Sequence, residues 1–154
     1  MTRPAEGKPV TVVQPLSLQY GLALREAYRI HMNMVETCLK EVGTTLAQWA
    51  VLRAIELQPG ASGAYLAAAA FVTPQSLGQV LGRVEKQGLI ERRPGRGRII
   101  EHYLTDDGVA QAETGAAAVD AVNSRTLSVL NDDEVAQLIG MLHRLRNGPA
   151  DGCV

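Results

Sequence analysis

Aromatic residues are scarce in this chain: one Trp, four Tyr and one Phe make up 4% of its 154 residues. Any core must therefore be built from Leu, Val, Ile and Ala. Cysteine is scarcer still. Cys38 and Cys153 cannot form a disulfide framework, and neither has a partner at metal-ligand spacing. His31, His102 and His143 are far apart with no ligand pattern joining them, so no metal is expected. Long apolar runs are missing too. The longest, Ala64 to Val72, falls far short of the roughly 20 residues a membrane-spanning helix needs. Near the N-terminus, Arg3, Glu6 and Lys8 precede only a brief "VTVV", which does not read as a signal peptide. A cytoplasmic protein with no membrane partner is the expectation. No HExxH, GxSxG or Walker loop is present, and Gly95-x-Gly97 leads into strand-like residues rather than a helix. No catalytic residue and no cofactor are expected.

What is present is ordinary in bulk: 46% hydrophobic and 20% charged residues suit one soluble globular domain. The net charge of −1, however, hides an asymmetry. Between residues 83 and 98 stand six basic side chains (Arg83, Lys86, Arg92, Arg93, Arg96, Arg98) against Glu85 and Glu91, a local charge of +4. The remainder has nine basic and fourteen acidic residues, or −5. An acidic body with one basic stripe is the electrostatic footprint of a site for a polyanion. A charged face that merely meets water is the alternative, and the local context decides between them.

Residues 1–15, with Pro4, Pro9 and Pro15, read as a flexible arm, and 148–154 as a flexible tail. From Leu16 the pattern turns helical, with Leu24, Tyr28, His31, Val35 and Cys38 forming one apolar seam that ends before Gly43. A second helix follows a Thr44 or Thr45 cap, pointing Leu46, Trp49, Leu52, Ile55 and Leu57 inward, and Pro59-Gly60 breaks it. Ser62 caps a short alanine-rich helix. Thr73-Pro74 is a strong start signal for a helix to about Gln87 that buries Leu77, Val80, Leu81 and Val84, with Gly88 as its left-handed terminus. "LIERR" and "IIEHYLT" are strand-like runs joined by "PGRGR", hence a β-hairpin. Thr105-Asp106-Asp107 opens a helix presenting Val109, Ala112, Ala116, Val119, Leu127 and Leu130. Asn131 and Glu134 make a capping box before Val135, Leu138, Leu142 and Leu145 at heptad spacing.

The expected fold is thus mostly α with a small β-hairpin. Two helices joined by a short turn, then a hairpin with an arginine-rich tip, describe a winged helix-turn-helix, with the hairpin as the wing and the second helix as the reader of a major groove. The apolar face of that helix being committed inward, Gln75, Ser76, Gln79 and Arg83 are left to meet base edges, and Lys86 to meet the backbone. Thr73 at the helix start, where N–H groups are free, suits a phosphate. Ser62, at the start of the preceding helix, joins the candidate DNA contacts, and so do Arg96 and Arg98 at the wing tip.

"TLAQWAVLRAI", "YLAAAAFVTPQSLGQVLGRVEKQGLIERR" and "YLTDDG" carry a further signal. Over about residues 45–108 the chain resembles the multiple-antibiotic-resistance regulator (MarR) family, and the spacing from Leu66-Ala67 through Thr73-Pro74 to Gly88-Leu89-Ile90 agrees without gaps. The resemblance implies a homodimeric DNA-binding transcription regulator, most often a repressor, that sits on a palindromic operator and is released by a small aromatic ligand. Residues 44–105 would be the winged helix-turn-helix core, flanked by dimerisation helices over 16–43 and 106–147. It also implies an effector cavity walled by the first two helices, with His31, Met34, Val35, Trp49, Leu52 and Arg53 as candidates; plain core packing is the competing reading of the same residues. Family wings typically carry an acidic residue that orients an arginine. This shorter loop, "RPGRGR", has no Asp, and Glu101 is the candidate substitute. Two other readings stand beside this one: a winged-helix module for protein–protein assembly, and a redox-sensing regulator using Cys38, whose seam position fits an inert buried thiol better.

Overall fold

A computed structural model describes residues 15–148; the arm and tail expected from the sequence, Cys153 included, lie outside this range except for Pro15 and Gly148. The elements follow in the order α1 (Leu16–Glu41), α2 (Leu46–Leu57), β1 (Ala61–Ser62), α3 (Gly63–Ala69), α4 (Pro74–Lys86), β2 (Ile90–Pro94), β3 (Ile100–Leu104), α5 (Asp106–Leu127) and α6 (Asp132–Arg146). Local chemistry sets most of the boundaries. Thr45 and Gln48 form a reciprocal capping box on α2, and Asn131 and Glu134 do the same on α6, each satisfying backbone donors that the first helical turn leaves free. On α4 the Thr73 side chain accepts from the Ser76 N–H and Pro74 takes the first position, where its missing donor is no loss. Gly88 leaves α4 at φ +74°, a conformation that a side chain would resist.

Two packed clusters hold these elements. The larger gathers Val51, Leu52 and Ile55 of α2, Leu66 of α3, Leu77, Leu81 and Val84 of α4, Ile90 of β2 and Ala112 of α5. The smaller joins Val35 and Leu39 of α1 to Val122 of α5, with Met34, Cys38, Leu46 and Trp49 packed against them. Two glycines of α5 permit close approach, Gly115 at the smaller cluster and Gly108 beside the larger one. A Cβ at Gly115 would stand 2.3 Å from the Trp49 indole, and one at Gly108 would stand 1.9 Å from the Leu89 carbonyl oxygen. The Trp49 indole N–H donates to the Ala112 carbonyl at 3.3 Å, so the ring is fixed across α5.

Several sequence expectations are corrected. The hairpin is part of a three-stranded antiparallel sheet in the order β1-β3-β2, because Ala61 and Ser62 pair with His102 and Glu101. Buried His102 fixes this edge, its Nδ1 lying 2.8 Å from the Ala61 carbonyl oxygen. The α1 seam is buried only towards its end: Leu24 and Tyr28 are exposed, as are Leu16, Leu18, Tyr20, Leu22 and Ile30. Leu57 is 73% exposed, since two residues beyond Ile55 a helix has turned to its opposite face. Val109 is exposed as well, and Leu130 lies beyond the end of α5, in the turn before α6.

Candidate nucleic-acid interface

The apolar residues Leu77, Leu81 and Val84 turn one face of α4 into the core, which leaves Gln75, Ser76, Gln79, Arg83 and Lys86 exposed on the other, as expected. Thr73 is partly committed: its Oγ1 accepts the Ser76 N–H at 3.1 Å and donates to Ser76 Oγ at 2.9 Å. Ser62 Oγ accepts the Tyr65 N–H at 3.3 Å and caps α3. Sequence reasoning missed Gly78 and Gly82. Both are exposed, and a Cβ on either would enter open space; Gly78 lines the groove between α4 and the wing. Packing inside the protein therefore asks for neither glycine, although each weakens the helix.

The wing is built by alternation. Along β2 and β3 the even-numbered residues Ile90, Arg92, His102 and Leu104 face inward, and the odd-numbered Glu91, Arg93, Glu101 and Tyr103 face outward. Arg92 reaches back to α4, its Nη2 3.1 Å from Glu85 Oε2. Arg93 bonds Glu91 at 3.0 Å and lies over the Tyr103 ring, 4.5 Å from its centroid. The tip closes through the Gly95 N–H donating to the Ile99 carbonyl at 2.9 Å, with Gly97 at φ +68°. Of the six basic residues, Arg92 and Arg93 are held by acidic neighbours. Arg83, Lys86, Arg96 and Arg98 have no ion pair among the described residues. Glu101, the expected substitute for the family's wing acid, accepts a hydrogen bond from the Tyr103 hydroxyl at 2.8 Å instead of pairing with an arginine. That bond, with partial burial and the charge of Glu101 adding to it and Arg93 opposing, raises the Tyr103 pKa above the usual tyrosine value.

Between α4 and the wing runs a groove of about 510 Å³, lined among others by Gly63, Pro74, Gly78, Arg92, Arg98 and His102. The residues considered for an effector cavity are less unified. Val35 and Leu52 are buried in different clusters, Trp49 and Met34 pack beside Val35, His31 is half-buried, and Arg53 is engaged by Glu56. Cys38 is a free thiol packed against the smaller apolar cluster. Phe71, in the turn between α3 and α4, is 96% exposed and has φ +52°. Among the described residues no helix is long and apolar enough to cross a membrane.

A tri-helical core, a second helix with an exposed polar face and an antiparallel hairpin with free arginines at its tip together define a winged helix-turn-helix protein. The model of the MarR family matches residues 42–99. The HTH-type transcriptional repressor Rv2887 of Mycobacterium tuberculosis is 34% identical over 113 residues, covering 72% of this chain and 81% of the relative. The chain belongs to the MarR family. The structure of Rv2887 in complex with DNA superposes with a TM-score of 0.71 at 31% identity, covering 86% of this chain and 98% of that one. Its complex with salicylic acid gives 0.69 at 31% identity, covering 88% and 99%.

Proposed function

We propose that this protein is a sequence-specific double-stranded DNA-binding transcription repressor, a cytoplasmic homodimer that works by binding rather than catalysis. The observation that carries this reading is a set of exposed cations with no ion pair among the described residues: Arg83 and Lys86 on α4, with Arg96 and Arg98 at the wing tip. In an otherwise acidic molecule, four free cations beside an exposed helix fit a phosphate backbone. Gln75, Ser76, Gln79 and Arg83 meet base edges, where glutamine suits adenine and arginine suits guanine. Thr73, Ser62 and Lys86 hold phosphates, and Arg96 and Arg98 reach the minor groove.

Helices 16–43 and 106–147 assemble the dimer, so each operator half meets one α4. Release by a small aromatic acid is supported by the relative that binds salicylic acid. Its site here adjoins His31, Met34, Trp49 and Arg53, with Val35 and Leu52 backing it from the core. Selection of bound duplexes from a random pool tests the central claim. A palindromic site should be enriched and bound about a thousandfold or more tighter than random duplex. Recovery of no preferred sequence would refute the regulator reading.

A further inference from the structure

The outward face of the wing carries a closed set of contacts that reading the DNA does not by itself require. Arg93 stands opposite Glu101 and Glu91 opposite Tyr103 in the β2–β3 register, so all four share one face and are direct or diagonal neighbours. Arg93 bonds Glu91 and stacks on Tyr103, and the Tyr103 hydroxyl donates to Glu101 Oε2. Both ends of this set rest on glycines. A Cβ at Gly95 would lie 2.8 Å from Glu101 Oε1, so the Glu101 carboxylate occupies the space beneath the wing's first turn. A Cβ at Gly60 would lie 2.9 Å from the Tyr103 hydroxyl oxygen, so the other end abuts the turn between α2 and β1. A line of contact therefore runs from the body of the protein at Gly60, through Tyr103 and Glu101, to the base of the tip at Gly95.

We propose that Tyr103, acting through Glu101, is a positioning residue for the wing: the pair fixes the turn at Gly95 and so sets where Arg96 and Arg98 stand relative to α4. This rests on the reading that those arginines meet DNA. A hydrogen bond is directional, so it can hold the carboxylate under Gly95 in one place, whereas stacking of Tyr103 on Arg93 does not orient the Glu101 side chain. Glu101 thereby serves the wing through Tyr103, with no ion pair to an arginine among the described residues.

The test measures affinity of the full chain for a duplex carrying a selected palindromic site, at fixed salt. Tyr103→Phe keeps the ring and its stacking and removes only the bond to Glu101; Glu101→Ala removes the acceptor, and Glu101→Gln keeps one. Tyr103→Phe and Glu101→Ala should each weaken binding about three- to tenfold, the span of one ordinary hydrogen bond. Glu101→Gln should bind at least as well as wild type. In an Arg96→Ala/Arg98→Ala background, Tyr103→Phe should have no further effect, because its action passes through the tip. A Tyr103→Phe protein with wild-type affinity would overturn the proposal, as would an equal loss in that background. Wild-type binding by the Arg96→Ala/Arg98→Ala protein itself would instead overturn the wing reading, and the proposal with it.

Discussion

At the scale of single residues, the glycines divide into those the fold demands and those it does not. Gly108 and Gly115 leave no room for a methyl group, against the Leu89 carbonyl and the Trp49 ring respectively. Gly78 and Gly82 meet nothing. In an exposed helix interior a glycine is about 1 kcal/mol less favourable than alanine, so α4 bears a penalty of about twice that with no gain in packing. Close approach of a ligand's backbone explains such a sacrifice, and α4 is the helix assigned to the major groove. Gly78→Ala and Gly82→Ala should therefore each raise the melting midpoint by about 2–4 °C. The same variants should bind the selected duplex more weakly, by about 1–3 kcal/mol where the added methyl must be accommodated. Thermal melts and binding isotherms on the same samples check both halves. Stabilised variants that bind as tightly as wild type would mean that the glycines face water rather than DNA.

At the scale of elements, the wing is where charge and geometry separate. Arg92 and Arg93 hold the wing together through Glu85, Glu91 and Tyr103, while Arg96 and Arg98 have no ion pair among the described residues. Arg96→Ala with Arg98→Ala should weaken all duplexes to a similar degree. It should also flatten the slope of log affinity against log salt by about one for each arginine lost from a phosphate. An unchanged slope would remove the tip from the interface. The same element marks how far the sequence could be read. α4 was legible because Thr73-Pro74 and Gly88 are local signals, and the hairpin because proline and glycine punctuate an arginine-rich turn. Strand β1 was not. It has two residues, and its pairing is with a segment 41 residues away, so no periodicity could announce it. Tyr103 looked like any outward strand residue, since its role depends on Gly60 and Glu101, which meet it only in the folded chain. For the same reason, the exposed polar face of α4 could be named residue by residue, while the commitment of Arg92 to Glu85 could not.

At the scale of the whole molecule, the single chain leaves too much apolar surface uncovered. Between residues 16 and 30, α1 exposes Leu16, Leu18, Tyr20, Leu22, Leu24, Tyr28 and Ile30, and α6 exposes Ile139, Met141, Leu142 and Leu145. α6 has no buried residue at all. Isolated helices of this length, 15 residues, are marginal in water, so its apolar side needs a partner surface to stay folded. A second copy offers one with the same composition, and obligate dimers bury about 2,000 Å² or more of largely apolar surface. In the proposed homodimer, Leu24 and Tyr28 of the α1 seam and Leu142 and Leu145 of α6 would be covered by the partner copy rather than within the protomer. Assembly should add to the stability of a fold whose DNA-binding core stands within the protomer, so the melting midpoint of the wild type should rise with protein concentration. Leu142→Arg with Leu145→Arg should yield monomers in sedimentation velocity. It should also lower affinity for a palindromic duplex about a hundredfold or more, because the second half-site is no longer bound from the same particle. Affinity for an isolated half-site should change little, since neither substituted residue belongs to α4 or the wing. A concentration-independent midpoint, or a monomer that holds the palindrome as tightly as wild type, would show that α1 and α6 serve something other than pairing.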